Sequence, residues 1–175
     1  RSCGCIREFL DWETGRPEHG GSLFLLRAFT KTYAMAGLRL GYLMTGDLSL
    51  LHAVAQQLPE WNVSSIAQRA GISALQDTEY EKRTRQLIEK ERRYLIQEFL
   101  KMGCTVFPSE ADYITFRLPQ EKTGFLLKER LLEGKILIRS CANYRNMPPD
   151  CYRIAVKQHA DNEELVRQVW RILIQ

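Results

Sequence analysis

The chain has 175 residues, 45% of them hydrophobic and 26% charged, and its 25 basic and 21 acidic side chains leave a formal net charge of +4. That composition is ordinary for a globular protein of one domain, or of one and part of another, and no apolar run approaches the roughly 20 residues a membrane helix needs. Charges of both signs are mixed even in the densest run, residues 77–93, and no basic tract is interleaved with stacking aromatics, so neither a membrane nor nucleic acid is a predicted partner. Cys3, Cys5, Cys104, Cys141 and Cys151 form no Cys-x-x-Cys pair, and His19, His52 and His159 are isolated. No metal site is predicted, and free thiols in a reducing cytoplasm are the simplest expectation. The opening residues hold no apolar signal-peptide core and no initiator methionine, from which a piece of a longer chain is expected.

The first twenty residues read as irregular, and residues 14–22, rich in Gly, Pro and charge, as a surface loop. Leu23, Phe24, Leu25 and Leu26 form a continuous apolar run, which predicts a strand buried on both faces of a parallel sheet. A second strand is predicted over 39–44, closed by Thr45-Gly46-Asp47, and a short helix over 48–58. Asn62 or Ser64 is placed to cap a helix running to about Leu75. Over 79–102 the apolar residues Tyr80, Leu87, Ile88, Tyr94, Leu95, Phe99 and Met102 fall on one stripe of a long helix, which Gly103 ends.

The remainder predicts a small α+β unit. Strands are expected over 104–107, 113–118, 136–140 and 152–156, and a helix over 124–132. Within 113–118 the alternation sets Ile114, Phe116 and Leu118 on one face and Tyr113, Thr115 and Arg117 on the other. Asp161 with Glu164 three residues later makes a capping-box-like start for a last helix with the apolar face Leu165, Val166, Val169, Trp170 and Leu173. Trp12 and Trp170 are read as packing residues. Trp61 is either a pocket residue or, more commonly for its type, buried.

Two places carry chemistry. Lys31 follows an apolar strand, is flanked by Thr30 and Thr32, and precedes by eight residues an arginine, Arg39, set between Gly37 and Gly41. A lysine amine can form a Schiff base with an aldehyde, and a threonine and an arginine can take its phosphate. Lysine and arginine alone read more often as solvated surface charges. The second place is Arg153. If Tyr152, Ile154 and Val156 face the small core, Arg153 points the other way, where a rigid strand could offer its guanidinium to a carboxylate; a surface strand arginine is the plainer reading.

The whole segment from Leu25 to Tyr42, with Thr30-Lys31 followed by Gly37-Leu38-Arg39-Leu40-Gly41-Tyr42, resembles the lysine motif of the class I/II pyridoxal-phosphate (PLP) aminotransferases. It is most similar to the group that holds histidinol-phosphate aminotransferase and threonine-phosphate decarboxylase. The resemblance implies that Lys31 is the Schiff-base lysine and that Thr30 and Arg39 hold the cofactor phosphate. It departs at Ala28, where many members carry a second Ser or Thr. Arg153-Ile154-Ala155-Val156 resembles the family strand whose arginine clamps the substrate carboxylate. Arg139 stands where a second arginine often lies, and Cys141-Ala142-Asn143-Tyr144-Arg145 looks more like the decarboxylase branch. Asp112 stands where many relatives have asparagine. The resemblance also places an aspartate against the pyridine nitrogen, a strand and a loop before the lysine. Arg1-Ser2-Cys3-Gly4-Cys5 lies there instead, and Asp11 is the first aspartate.

The fold class implied is α/β. Residues 1–76 would be the C-terminal end of the large PLP-binding domain, and residues 77–175 a small α+β C-terminal domain with a long interdomain helix. The resemblance covers about the C-terminal half of a family member. It implies a cytoplasmic homodimer when full length, transaminating an amino acid or phosphorylated amine. Decarboxylation of a phosphorylated amino acid is the alternative, and an inactive folded fragment or dimerisation module is a third.

Overall fold

The computed structural model describes residues 24–122, 126–148 and 150–174. The expected loop 14–22, with Cys3, Cys5, Asp11, Trp12, His19, Leu23 and the predicted helix start at 124, lies outside the described residues. The chain divides into two compact units, Arg1–Glu81 and Lys82–Gln175.

In the first unit β1 (Leu25–Ala28) and β2 (Gly41–Met44) pair antiparallel, with Leu25 opposite Met44 and Ala28 opposite Gly41. The expected parallel, doubly covered strand is corrected on both counts. β1 returns into β2 through residues 29–40, which close at the Phe29 N to Leu40 O hydrogen bond and hold only the 3-10 turn Ala36–Leu38, whereas a parallel pair is joined by a crossover, usually an α-helix. Leu26 is 75% exposed, so among the described residues no second layer covers that side of the ribbon. β2 starts at Gly41 rather than at 39, because Arg39 takes a left-handed conformation, φ 53°, at the end of the 3-10 turn Ala36–Leu38. A Cβ on Gly41 would stand 2.8 Å from the Arg27 carbonyl oxygen, so this close rung requires glycine.

Helix α1 (Leu48–Ala55) is capped by Asp47, whose carboxylate accepts from Leu50 N at 3.0 Å. Of the two expected caps for α2 (Ser65–Gln76), Ser64 serves, accepting from Ala67 N at 3.2 Å. Its buried Gly71 packs on the base of the β1–β2 hairpin: a Cβ there would meet Leu40 Cδ2 at 2.6 Å and the Phe29 ring at 3.8 Å. Asp77 accepts from Tyr80 N and starts α3 (Thr78–Lys101). Gly103, at φ 79°, takes the left-handed conformation just past its end.

The second unit holds an antiparallel sheet in the order β3-β4-β6-β5, from β3 (Thr105–Val106), β4 (Tyr113–Arg117), β5 (Arg139–Ser140) and β6 (Cys151–Ala155). One face carries the core. Ile114 and Phe116 from β4 and Tyr152 and Ile154 from β6 pack with Leu95 and Phe99 of α3 and Met102 just past its end, Leu127 and Leu131 of α4 (Leu127–Glu133), and Leu165, Val166, Val169 and Leu173 of α5 (His159–Ile174). The Phe99 and Phe116 rings lie 4.3 Å apart between centroids. Truncating either buried ring would cost about 3–5 kcal/mol. Cys104 joins this core, and burial pushes its thiol up to about 12.

The predicted capping box at Asp161 is corrected. α5 begins at His159, and the Asn162 side chain brackets both backbone groups of Lys157, accepting from its N–H at 3.1 Å and donating to its carbonyl at 2.9 Å. Asp161 lies inside the first turn, with Lys157 Nζ at 3.6 Å. The strand expected over 136–140 pairs only at Arg139 and Ser140.

Candidate active site

Residues 29–40 close into a loop at the hydrogen bond from Phe29 N to Leu40 O, 3.1 Å. Thr30 and Lys31 leave this closure on one side and Arg39 returns to it on the other, so the fold gathers the three motif residues into one hairpin connection. The Phe29 carbonyl accepts from Tyr33 N and Met35 N, and the Lys31 carbonyl from Ala34 N, which fixes the backbone turn that presents the lysine. Ala34 and Arg39 both have positive φ, 54° and 53°. Left-handed backbone costs a residue with a Cβ roughly 1–2 kcal/mol, so the connection is strained where it carries the motif.

Phe29, 5% exposed, anchors the loop against Gly71 and meets the Tyr33 ring tilted at 5.2 Å and the Tyr42 ring edge-on at 6.0 Å. Tyr33 also stacks on Tyr80 at 6.0 Å. Burial, then the Glu81 charge, pushes its phenol up, so it stays protonated through the neutral range. Lys31 is exposed, Thr30 half-buried, and neither side chain bonds to another described residue. Arg39 is exposed and donates one Nη1 hydrogen bond to the Ala36 carbonyl at 3.0 Å. This donor set is an amine, a hydroxyl and a guanidinium with no acid bonded to them. It suits an aldehyde that carries a phosphate.

The arginines of the second unit form a separate constellation. Arg139 and Arg153 are direct cross-strand partners, and Thr115 stands opposite Arg153 on its other side. Tyr152 and Ile154 on either side of Arg153 are buried, so Arg153 lies on the sheet face opposite the core. Like charges directly opposed are destabilising. Each guanidinium lies over a tyrosine ring instead of an acid: Arg153 Cζ is 4.8 Å from the Tyr113 ring and Arg139 Cζ 5.2 Å from the Tyr144 ring. Sequence reasoning missed both tyrosines. The signal for Tyr113 was its place on the Thr115 face of β4, which becomes informative only once β6 is known to pair there.

Trp61 is 95% exposed, which corrects the reading of a buried tryptophan, and it sits at φ 56° in the link before α2. Asp112 is exposed and contributes its backbone carbonyl, which accepts from Val156 N. Among the described residues no helix is long and apolar enough to cross a membrane.

The sequence profile of the aminotransferases of class I and II matches residues 7–169. The chain belongs to this family. Members of the class I and II aminotransferase family are pyridoxal-phosphate enzymes. The threonine-phosphate decarboxylase of Salmonella typhimurium is 35% identical over 170 residues, covering 95% of this chain and 46% of that protein. The histidinol-phosphate aminotransferase of Clostridium acetobutylicum superposes with a TM-score of 0.81 at 32% identity, covering 87% of this chain and 46% of that one. The Sinorhizobium meliloti histidinol-phosphate aminotransferase, solved in complex with pyridoxal-5'-phosphate, shares the fold with a TM-score of 0.76 at 21% identity, over 97% of this chain and 47% of that one. The chain thus spans about half the length of the relatives it matches, and its mixed helix-and-sheet fold is that of its aminotransferase neighbours.

Proposed function

We propose that this chain is the lysine-bearing portion of a PLP-dependent aminotransferase. Residues 1–76 would belong to the large cofactor domain and residues 77–175 form the small domain of a cytoplasmic homodimer. The observation that carries the reading is the exposed Lys31, unpaired among the described residues, in a closed turn with a hydroxyl at one end and a left-handed arginine at the other. Thr30 Oγ1 and the Arg39 fork donate to the cofactor phosphate. When bound, PLP supplies an electron sink for an amino acid's Cα. Lys31 Nζ would hold the cofactor covalently and would accept and return the proton at the substrate's Cα. Arg153 grips the substrate carboxylate in a two-pronged fashion and orients the bond that breaks.

The pair Arg139–Arg153 favours a second reading, PLP-dependent decarboxylation. Two guanidiniums on one rung match a substrate carrying two anionic groups, such as a phosphorylated amino acid. On the first reading the substrate is an amino acid or a phosphorylated amine, and on the second a phosphorylated amino acid.

The test is to add PLP, reduce with borohydride and map the modified lysine. Label confined to Lys31, and lost in Lys31→Ala, is the expected result. Label spread over other lysines, or none at all, overturns the assignment for this polypeptide, and the absence of label would leave a folded module without cofactor. Carbon dioxide release without keto-acid formation by the complete enzyme would select decarboxylation.

A further inference from the structure

Arg139-Ser140-Cys141 and Cys151-Tyr152-Arg153 are mirror-image tripeptides, and the β5–β6 register lays one against the other. Arg139 pairs with Arg153 and Ser140 with Tyr152, and the next hydrogen bond of the ladder runs from Cys141 N to Cys151 O at 2.8 Å. The two cysteines therefore face each other two rungs from the arginine pair, on the same side of the sheet. Both are fully buried free thiols. We propose that Cys141 and Cys151 are a reversible dithiol–disulfide pair that cross-links the β5–β6 connection beside Arg139 and Arg153.

Cys141 N donates to Cys151 O while Cys151 N turns to the Pro148 carbonyl, so one of the two bonds of a hydrogen-bonded pair is made; in a full pair the Cα atoms stand about 5.5 Å apart, inside the range a disulfide spans. Their Cβ atoms stand at roughly 5 Å or a little more, and the bond needs about 4 Å, so closing it draws the strands together and stores strain. Strain makes a disulfide easier to reduce, which is what reversibility requires. Cys141 lies just past the last regular residue of β5, so the chain can yield there. The Arg153 and Arg139 charges favour thiolate at Cys141, whereas at Cys151 the Cys141 and Asp150 charges oppose that of Arg117. Burial outweighs this and holds both thiols above their ordinary value. Oxidation therefore waits on a local opening that exposes one of the two thiols, and the second then resolves the intermediate because it is held opposite the first.

With a glutathione-type disulfide as oxidant the atoms balance. One cysteine thiolate attacks the oxidant, releasing one glutathione thiol and leaving a mixed disulfide. The other cysteine then attacks the protein-side sulfur of that mixed disulfide, releasing the second glutathione. Each protein thiol gives up one hydrogen, and the oxidant is reduced to two thiols. Nothing in this step depends on the proposed cofactor or substrate.

The experiment equilibrates the whole chain at rising ratios of oxidised to reduced glutathione, from reduced and from oxidised protein. It quenches with alkylating agent in denaturant and maps the cysteines by mass. The expected result is one peptide pair linked Cys141–Cys151, with the same midpoint from both directions and Cys104 still alkylated. Reductant restores both thiols. In Cys141→Ser the linked pair vanishes and Cys151 is recovered alkylated or as a glutathione adduct. Recovery of Cys141 and Cys151 as separate thiols or separate adducts at the highest ratio overturns the proposal, as does a link from either one to a different cysteine.

Discussion

Arg39 shows how one residue's backbone sets its chemistry. At φ 53° it ends the 3-10 turn and donates one guanidinium hydrogen bond to the Ala36 carbonyl, with no other partner for its remaining donors among the described residues. Arg39→Ala in the complete enzyme should weaken PLP binding by about 2–3 kcal/mol, the scale of a hydrogen bond to a charged group, with fluorescence titration as the check. Unchanged affinity would remove Arg39 from the phosphate site. Arg153→Lys should raise KM for amino acids and leave PLP affinity alone, since an ammonium cannot reproduce the fork. Steady-state kinetics beside a PLP titration separates the two. Glu91 is different in kind, a carboxylate 1% exposed on α3. Its Oε2 accepts from Asn162 Nδ2 and faces His159 Nδ1, each at 3.0 Å. Burial alone pushes this carboxyl up, but the hydrogen bonds from Asn162 and His159, with the His159 and Lys90 charges, more than offset it and leave it below its ordinary value. A carboxyl lowered on folding contributes stability above its unfolded value, near pH 4.3, and that contribution is lost as pH falls through the lower folded value. Thermal unfolding followed down from about pH 5 should therefore lose midpoint on the acid side, and Glu91→Gln should flatten that limb. An acid limb of the same steepness in the variant would assign it to other groups.

At the level of elements, the strand pairs decide more than the helices do. α3 is legible from its stripe, and Leu95, Phe99 and Met102 are buried as expected, though Tyr80 and Leu87 at the N-terminal end remain more than a third exposed. β1 was misread because a run of apolar residues signals a strand without saying what it pairs with. The pairing came from the short return through residues 29–40 and from Gly41, whose missing side chain lets the Arg27 carbonyl approach. Gly41→Ala should cost about 1–3 kcal/mol, because the clash is with backbone that cannot rotate away. Amide exchange of Phe29 and Tyr42 reports it directly. Protection unchanged from the parent would mean that the ribbon has slack at this rung.

For the whole molecule, the second unit has a continuous core of sheet and three helices, whereas the first exposes Leu26, Leu48, Trp61, Ile66, Ile72 and Leu75. Residues 77–175 expressed alone should therefore unfold in one cooperative transition, which calorimetry can test; a broad transition without an excess heat peak would show that the core needs the rest of the chain. Much of this was legible beforehand. The lysine motif is contiguous, so the resemblance that pointed to the family could be seen around Thr30, Lys31 and Arg39, whereas their spacing alone read as surface charge. The helices were readable because their period and their caps are local in sequence. Alternation put Arg153 off the core face, because strand side chains switch sides at every residue whatever the partner. What alternation could not supply was the partner strand. That Arg139 lies opposite Arg153, that tyrosine rings rather than acids hold both, and that Cys141 meets Cys151 all depend on the register between strands joined by a loop. So does the carboxylate of Glu91 meeting an amide 71 residues away. Register is set when one face of a sheet is buried as a whole, and that happens only in the folded chain.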